Sequence, residues 1–156
     1  MDQKELRLTT ILRVVAVAGL LCITACPVFA ANEIQPGLWQ DSETSDVNGK
    51  PVPPKVSTNC VTPQDAQDPV QMIKEGMKDQ AQQCSKFNVQ TNGSVILFEM
   101  VCGDPKQGSI DMTMTYIVHS PQSTSSVTKS TMSMMGQKIV SNLATESKWL
   151  AATCNK

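Results

Sequence analysis

The chain has 156 residues, with 13 Lys plus Arg against 14 Asp plus Glu and a formal net charge of −1. That length bounds it to one domain, and the near balance of charge points away from a nucleic-acid partner or an anionic membrane surface. No arginine occurs after residue 30, so the residue best suited to bidentate phosphate or carboxylate recognition is missing, and a phosphate-handling enzyme is disfavoured.

Residues 1–30 read as a signal peptide. Lys4, Arg7 and Arg13 form a positive start, and residues 14–25 are an uncharged run of 12. A bilayer span needs roughly 20 apolar residues, whereas a signal-peptide core needs about this many. Pro27 ends the run, and Val28 and Ala30 sit at −3 and −1 of a cleavage site between Ala30 and Ala31. The remainder, 31–156, is then one exported domain, periplasmic or secreted from a bacterium. A second processing site competes: Ile23-Thr24-Ala25-Cys26 resembles a bacterial lipobox, in which Cys26 would carry lipid and anchor the protein to the membrane. Only in that case is a membrane a partner, because no other apolar run is long enough to span one.

The exported body opens at residues 34–44, with a bend at Pro36-Gly37 and a strand beginning Leu38-Trp39-Gln40. Residues 47–54 read as a turn and a stiff loop, since Pro51, Pro53 and Pro54 exclude a central strand. A short strand over 55–61 follows and carries Cys60. Thr62-Pro63-Gln64-Asp65 and Asp68-Pro69 both offer helix starts, with a capping side chain and Pro in the first turn. Val70, Ile73, Met77 and Ala81 recur at helical spacing, which predicts the one long helix, ending near Cys84 and weakened by Gly76 by about 1 kcal/mol.

Residues 84–102 read as a β-hairpin with a cysteine at each end. Phe87 and Val89 alternate with polar neighbours, Asn92-Gly93 is a turn signal, and Val95, Ile96, Leu97, Phe98 and Val101 make the second arm apolar on both faces, as in a strand covered on both sides. A two-residue turn there puts Thr91 opposite Ser94 and Cys84 opposite Val101, one short of Cys102; a longer loop or a bulge closes that gap. Residues 110–118 alternate apolar and polar at period two, the clearest strand in the chain. A turn at 119–123 leads to the Ser/Thr-rich stretch 124–135, which reads as an exposed or edge strand. Residues 138–146 and 148–154 read as the last two strands.

Cys22 and Cys26 lie in the signal region, leaving Cys60, Cys84, Cys102 and Cys154. Four cysteines in an exported chain imply two disulfides with three possible connectivities. The hairpin favours Cys84–Cys102, which leaves Cys60–Cys154. No C-x-x-C spacing occurs, so a zinc site is disfavoured. The expected fold class is mainly β (α+β): an antiparallel meander of six to eight strands forming a twisted sheet or partly open barrel, with one inserted helix and two disulfides.

The segment Ile34-Gln35-Pro36-Gly37-Leu38-Trp39-Gln40, the order of Cys60, Cys84 and Cys102, and the closing Trp149-Leu150-Ala151-Ala152-Thr153-Cys154 resemble the bacterial exported family called domain of unknown function 3617. Gln40 stands where that family usually has an acidic residue, and the glycine expected before Cys154 is missing. The resemblance covers nearly all of the exported body. It implies a small periplasmic or envelope protein and no reaction.

The residues that carry chemistry are sparse. His119 is the only histidine and has no carboxylate or cysteine beside it, and no G-x-S-x-G elbow occurs. Glu99, a charge between Phe98 and Met100, is an outward strand residue or else a base in a pocket. Methionine is the unusual feature. If the 119–123 turn joins two strands, residues whose numbers sum to about 244 face one another, so Met112 faces Met132, with Met114 diagonal, Met134 on the same face and His119 nearby. Such methionines line an adaptable apolar pocket; the alternative is a Cu(I) site built from Met112, Met114, Met132, Met134 and His119. The expected function is a non-catalytic envelope module, without cofactor, that binds a small apolar ligand or an envelope protein. The alternative is a periplasmic Met-rich Cu(I)-binding protein.

Overall fold

A computed structural model describes residues 32–104 and 107–154. The cleavage site at Ala30-Ala31 and the lipidation residue Cys26 lie outside these. Seven strands make one antiparallel sheet: β1 (Gly37–Val47), β2 (Lys50–Val61), β3 (Cys84–Asn92), β4 (Val95–Asp104), β5 (Gly108–Ser120), β6 (Ser123–Met134) and β7 (Gln137–Ala151). Their order is β2-β1-β7-β6-β5-β4-β3, so β3 to β7 run as a meander and the β1–β2 hairpin adds on beside β7. The sheet is open, with β2 and β3 as its edges.

The chain between the two edge strands has to cross the sheet. It does so as three short helices, α1 (Pro63–Gln67), α2 (Pro69–Gly76) and α3 (Lys78–Ala81), rather than the one long helix expected. Both predicted starts are real caps: the Thr62 side chain accepts from the Asp65 N–H and the Asp68 side chain accepts from the Gln71 N–H. They follow in such quick succession that the second start breaks the first helix. α2 ends at Gly76, and the Met77 N–H closes it with bonds to the Glu75 and Lys74 carbonyls.

These helices cover one face of the sheet. Ile34, Trp39, Ala66 and Val118 form a buried cluster, joined at its margin by Val61, Tyr116 and Trp149. On β4, Ile96, Phe98 and Met100 are all but inaccessible, while Val95, Leu97 and Val101 remain half-buried. The second hairpin arm is therefore covered on one face, not two. Phe87 of β3 meets Phe98 edge to face at 5.2 Å between ring centroids.

Four other local expectations change. The hairpin turn is Gly93-Ser94, because Asn92 pairs with Val95; Gly93 alone has positive φ, as a Gly-first turn allows. The prolines at 51, 53 and 54 lie within β2 rather than in a loop, tolerated because β2 is an edge and because the register shifts between Glu43 and Ser45 opposite Pro53-Pro54. The Ser/Thr-rich β6 is the central strand, with Thr124 2% exposed, and not an edge. Residues 137–151 form one continuous strand instead of two.

Both disulfides are present, Cys84–Cys102 and Cys60–Cys154. The second spans 94 residues and ties β2 to the end of the chain, across the intervening β1. The pair points to an oxidising, extracytoplasmic environment. Among the described residues no helix is long and apolar enough to cross a membrane.

Candidate functional site, a methionine-lined cavity on the helix-covered face

Strand alternation sorts the side chains of interest. Cross-strand pairing runs Phe87–Met100–Met112–Ser130–Ser141 in one row and Cys84–Cys102–Ile110–Met132–Ile139 in another, all on the face the helices cover. The β5–β6 register sums to 242, so Met112 faces Ser130 and Met132 faces Ile110. Met112 and Met132 are thus diagonal neighbours and not a direct pair. The difference arises at the turn: Ser120 pairs with Ser123, a sum of 243, and His119, the extra residue of a bulge between Val118 and Ser120, lowers it by one more. A shift of two preserves the face, so Met112, Met114, Met132 and Met134 still share one side.

A cavity of about 460 Å³ opens on this side. Met100, Ile110, Met132 and Met134 supply its apolar lining, and Gln83 and Asp79 border it from the helical segment. Met100 is 2% exposed and forms the floor, whereas Met132 and Met134 are 40% and 53% exposed and form a rim. Methionine suits such a rim: an unbranched, polarizable side chain can repack around different apolar shapes. The Cys84–Cys102 link lies beside the cavity, since Cys102 also lines it. Gly103, at φ 83°, lets β4 approach β5 so closely that a Cβ there would run into the Gly108 carbonyl.

The other residues singled out in the sequence lie elsewhere. His119 Nε2 is 2.7 Å from the Ser125 hydroxyl, and Ser125 alternates to the face opposite Met132. His119 therefore does not join the methionines. Glu99 pairs with Lys86 at 3.0 Å and accepts from Asn88 at 3.4 Å. Lys86, first by its hydrogen bond and then by its charge, holds the Glu99 carboxyl below its usual range, with Asn88 assisting. Glu99 is opposite Thr113, six residues from His119 along β5, so the two do not form a cluster. Among the described residues no group of three or more His, Cys, Asp or Glu side chains is placed to hold a metal ion.

Sequence reasoning missed Met100 and Ile110 as cavity residues and missed the helical border. Met100 lies on β4, two strands from Met132, and only the register brings them to one cavity. It also missed a second cavity that includes Asp41 and Tyr116.

A family model described as a protein of unknown function, DUF3617, matches residues 34–154. No curated protein and no solved structure matches this chain.

Proposed function

Because this chain belongs to the DUF3617 family of unknown function, we propose from its geometry that it is a non-catalytic binding module of the bacterial envelope, holding a small apolar ligand in the methionine-lined cavity. The observation that carries this reading is the cavity itself. Its volume of about 460 Å³ lies within the range that encloses small ligands, and its rim methionines are left uncovered by the fold. The signal-peptide pattern of residues 1–30 supports the envelope location, and so do two disulfides that need an oxidising compartment. The intact mass of the native protein checks this part, because it distinguishes cleavage after Ala30 from lipidation at Cys26.

A titration with N-phenyl-1-naphthylamine tests the binding reading. The fluorophore should brighten on the wild-type protein, keep that response with Met134→Leu, and lose at least ten-fold in affinity with Met132→Asp/Met134→Asp. Equal binding by wild type and the double aspartate variant would remove the cavity from the account.

A second reading is favoured by one observation: three thioethers, Met100, Met132 and Met134, line the same cavity. Soft sulfur ligands suit Cu(I), and Met112 and Met114 share their face. The leucine substitution separates the two readings. Copper binding would fall with Met132→Leu/Met134→Leu, whereas apolar-ligand binding would survive it.

A further inference from the structure

Under α2 lies a second cavity of about 320 Å³, which shares no lining residue with the methionine cavity. Its chemistry differs. Asp41 of β1 lies in its wall, held from both sides: the Ser147 hydroxyl donates to Oδ1 at 2.6 Å and the Asn59 amide donates to Oδ2 at 2.5 Å. A carboxylate has about four acceptor positions, so these two bonds orient Asp41 while leaving acceptor capacity over. Tyr116, Ser126 and Thr145 add hydroxyls, and Met72, Ile73 and Met114 add apolar surface.

The charge in this cavity is one-sided. Asp65 is a second carboxylate in its lining, and among the described residues no Lys, Arg or His lines it. Among the described residues the ion pairs are Lys78–Glu75 and Lys86–Glu99, neither of which reaches Asp41. Burial pushes the Tyr116 phenol up, a hydrogen bond with Thr124 opposes this, and the charge of Asp41 adds a smaller push upward. A half-buried carboxylate without a counter-ion favours a cation. A metal ion such as calcium wants six to eight oxygens, several of them carboxylate, and among the described residues no group of three or more His, Cys, Asp or Glu side chains is placed to hold one. An ammonium group on a small apolar body matches both halves of the lining, and the rings of Trp39 and Tyr116 add surfaces that attract cations.

We infer that the cavity between Asp41, Tyr116 and α2 is a second binding site, one that takes a small organic ammonium ion. The inference goes beyond the apolar-ligand reading and stands apart from it, because the two cavities have separate linings.

The test uses the purified, oxidised protein and three ligands of one shape: phenethylammonium, phenethyl alcohol and phenylacetate. Calorimetry gives affinities, and the Trp39 indole N–H resonance reports occupancy, since that group donates to the Gln35 carbonyl beside the cavity. The ammonium ligand should bind at least ten-fold tighter than the alcohol, and the carboxylate should not bind. Asp41→Asn should cost the ammonium ligand at least ten-fold and leave the alcohol unchanged. Asp41 also links three strands, so a second variant is needed: Ile73→Trp fills the cavity from α2 and should abolish the Trp39 shift while naphthylamine binding at the methionine cavity persists. Equal binding of all three ligands, or an ammonium response that survives Ile73→Trp, would overturn the inference.

Discussion

Cys84 pairs directly with Cys102, and Ser85 is what brings them together. From Lys86 to Asn92 the β3–β4 register sums to 187, which continued would place Cys84 opposite Gly103; the bulge at Ser85 takes up one residue and returns Cys84 to Cys102. The link then closes a short loop, 18 residues apart in sequence, while Cys60–Cys154 closes one of 94. In the loop-entropy model the short loop is worth about 3 kcal/mol and the long one about 4–5 kcal/mol. Urea unfolding of Cys84→Ser/Cys102→Ser and Cys60→Ser/Cys154→Ser should therefore show the larger loss for the second pair. The reverse order would mean that the β2 edge contributes little to holding the sheet.

The Pro36-Gly37-Leu38-Trp39 segment is explained by packing. The Trp149 indole donates to the Pro36 carbonyl at 3.0 Å and the Trp39 indole donates to the Gln35 carbonyl at 2.8 Å, so two tryptophans clamp one short stretch of backbone. Gly37 lies between them at φ 127°, and a Cβ there would collide with the Ala151 carbonyl. Gly37→Ala should destabilise by more than about 2 kcal/mol, because strain and collision add. Gly49→Ala, at φ 73° with open space around it, should cost about 1 kcal/mol. Chemical denaturation of the two variants checks the difference.

Tyr116 carries a pH signature. Burial, its largest cause, raises the folded-state pKa above the ordinary value near 10. A raised pKa means that the folded protein holds the phenolic proton more tightly than the unfolded chain does. The stabilisation is complete below about pH 10 and is lost as pH climbs through the folded pKa. Thermal melts from pH 9 upward should show wild type losing more Tm than Tyr116→Phe does. Parallel curves would place the Tyr116 hydroxyl in solvent.

Local signals were legible, and among long-range relationships the cysteine pairing was, because fixing Cys84–Cys102 leaves one partner for Cys60; strand registers and cavities were not. Thr62 and Asp68 announce their helices because a cap is a contact within three residues. The alternation of β5 is equally local. The two registers each came out two residues away, one at Gly93-Ser94 and the other at the Pro121-Gln122 turn together with the His119 bulge, because turn type and bulges are decided by the strands on either side. An even shift leaves faces intact, which is why the methionine face was found although its partners were not. The strand content of Pro51, Pro53 and Pro54 was hidden because a proline's tolerance depends on whether its strand is an edge. The Asp41 cavity was invisible for a stronger reason. Asp41, Tyr116 and Thr145 come from β1, β5 and β7, and only the finished sheet order makes them neighbours.

The most direct test is methyl NMR of the methionines as laurate is added to the purified protein. Met135, 89% exposed and outside the cavity lining, serves as an internal reference. The account predicts saturable shifts at Met100, Met132 and Met134 with Met135 unmoved. Shifts that are absent, or equal at Met135 and Met100, would contradict it.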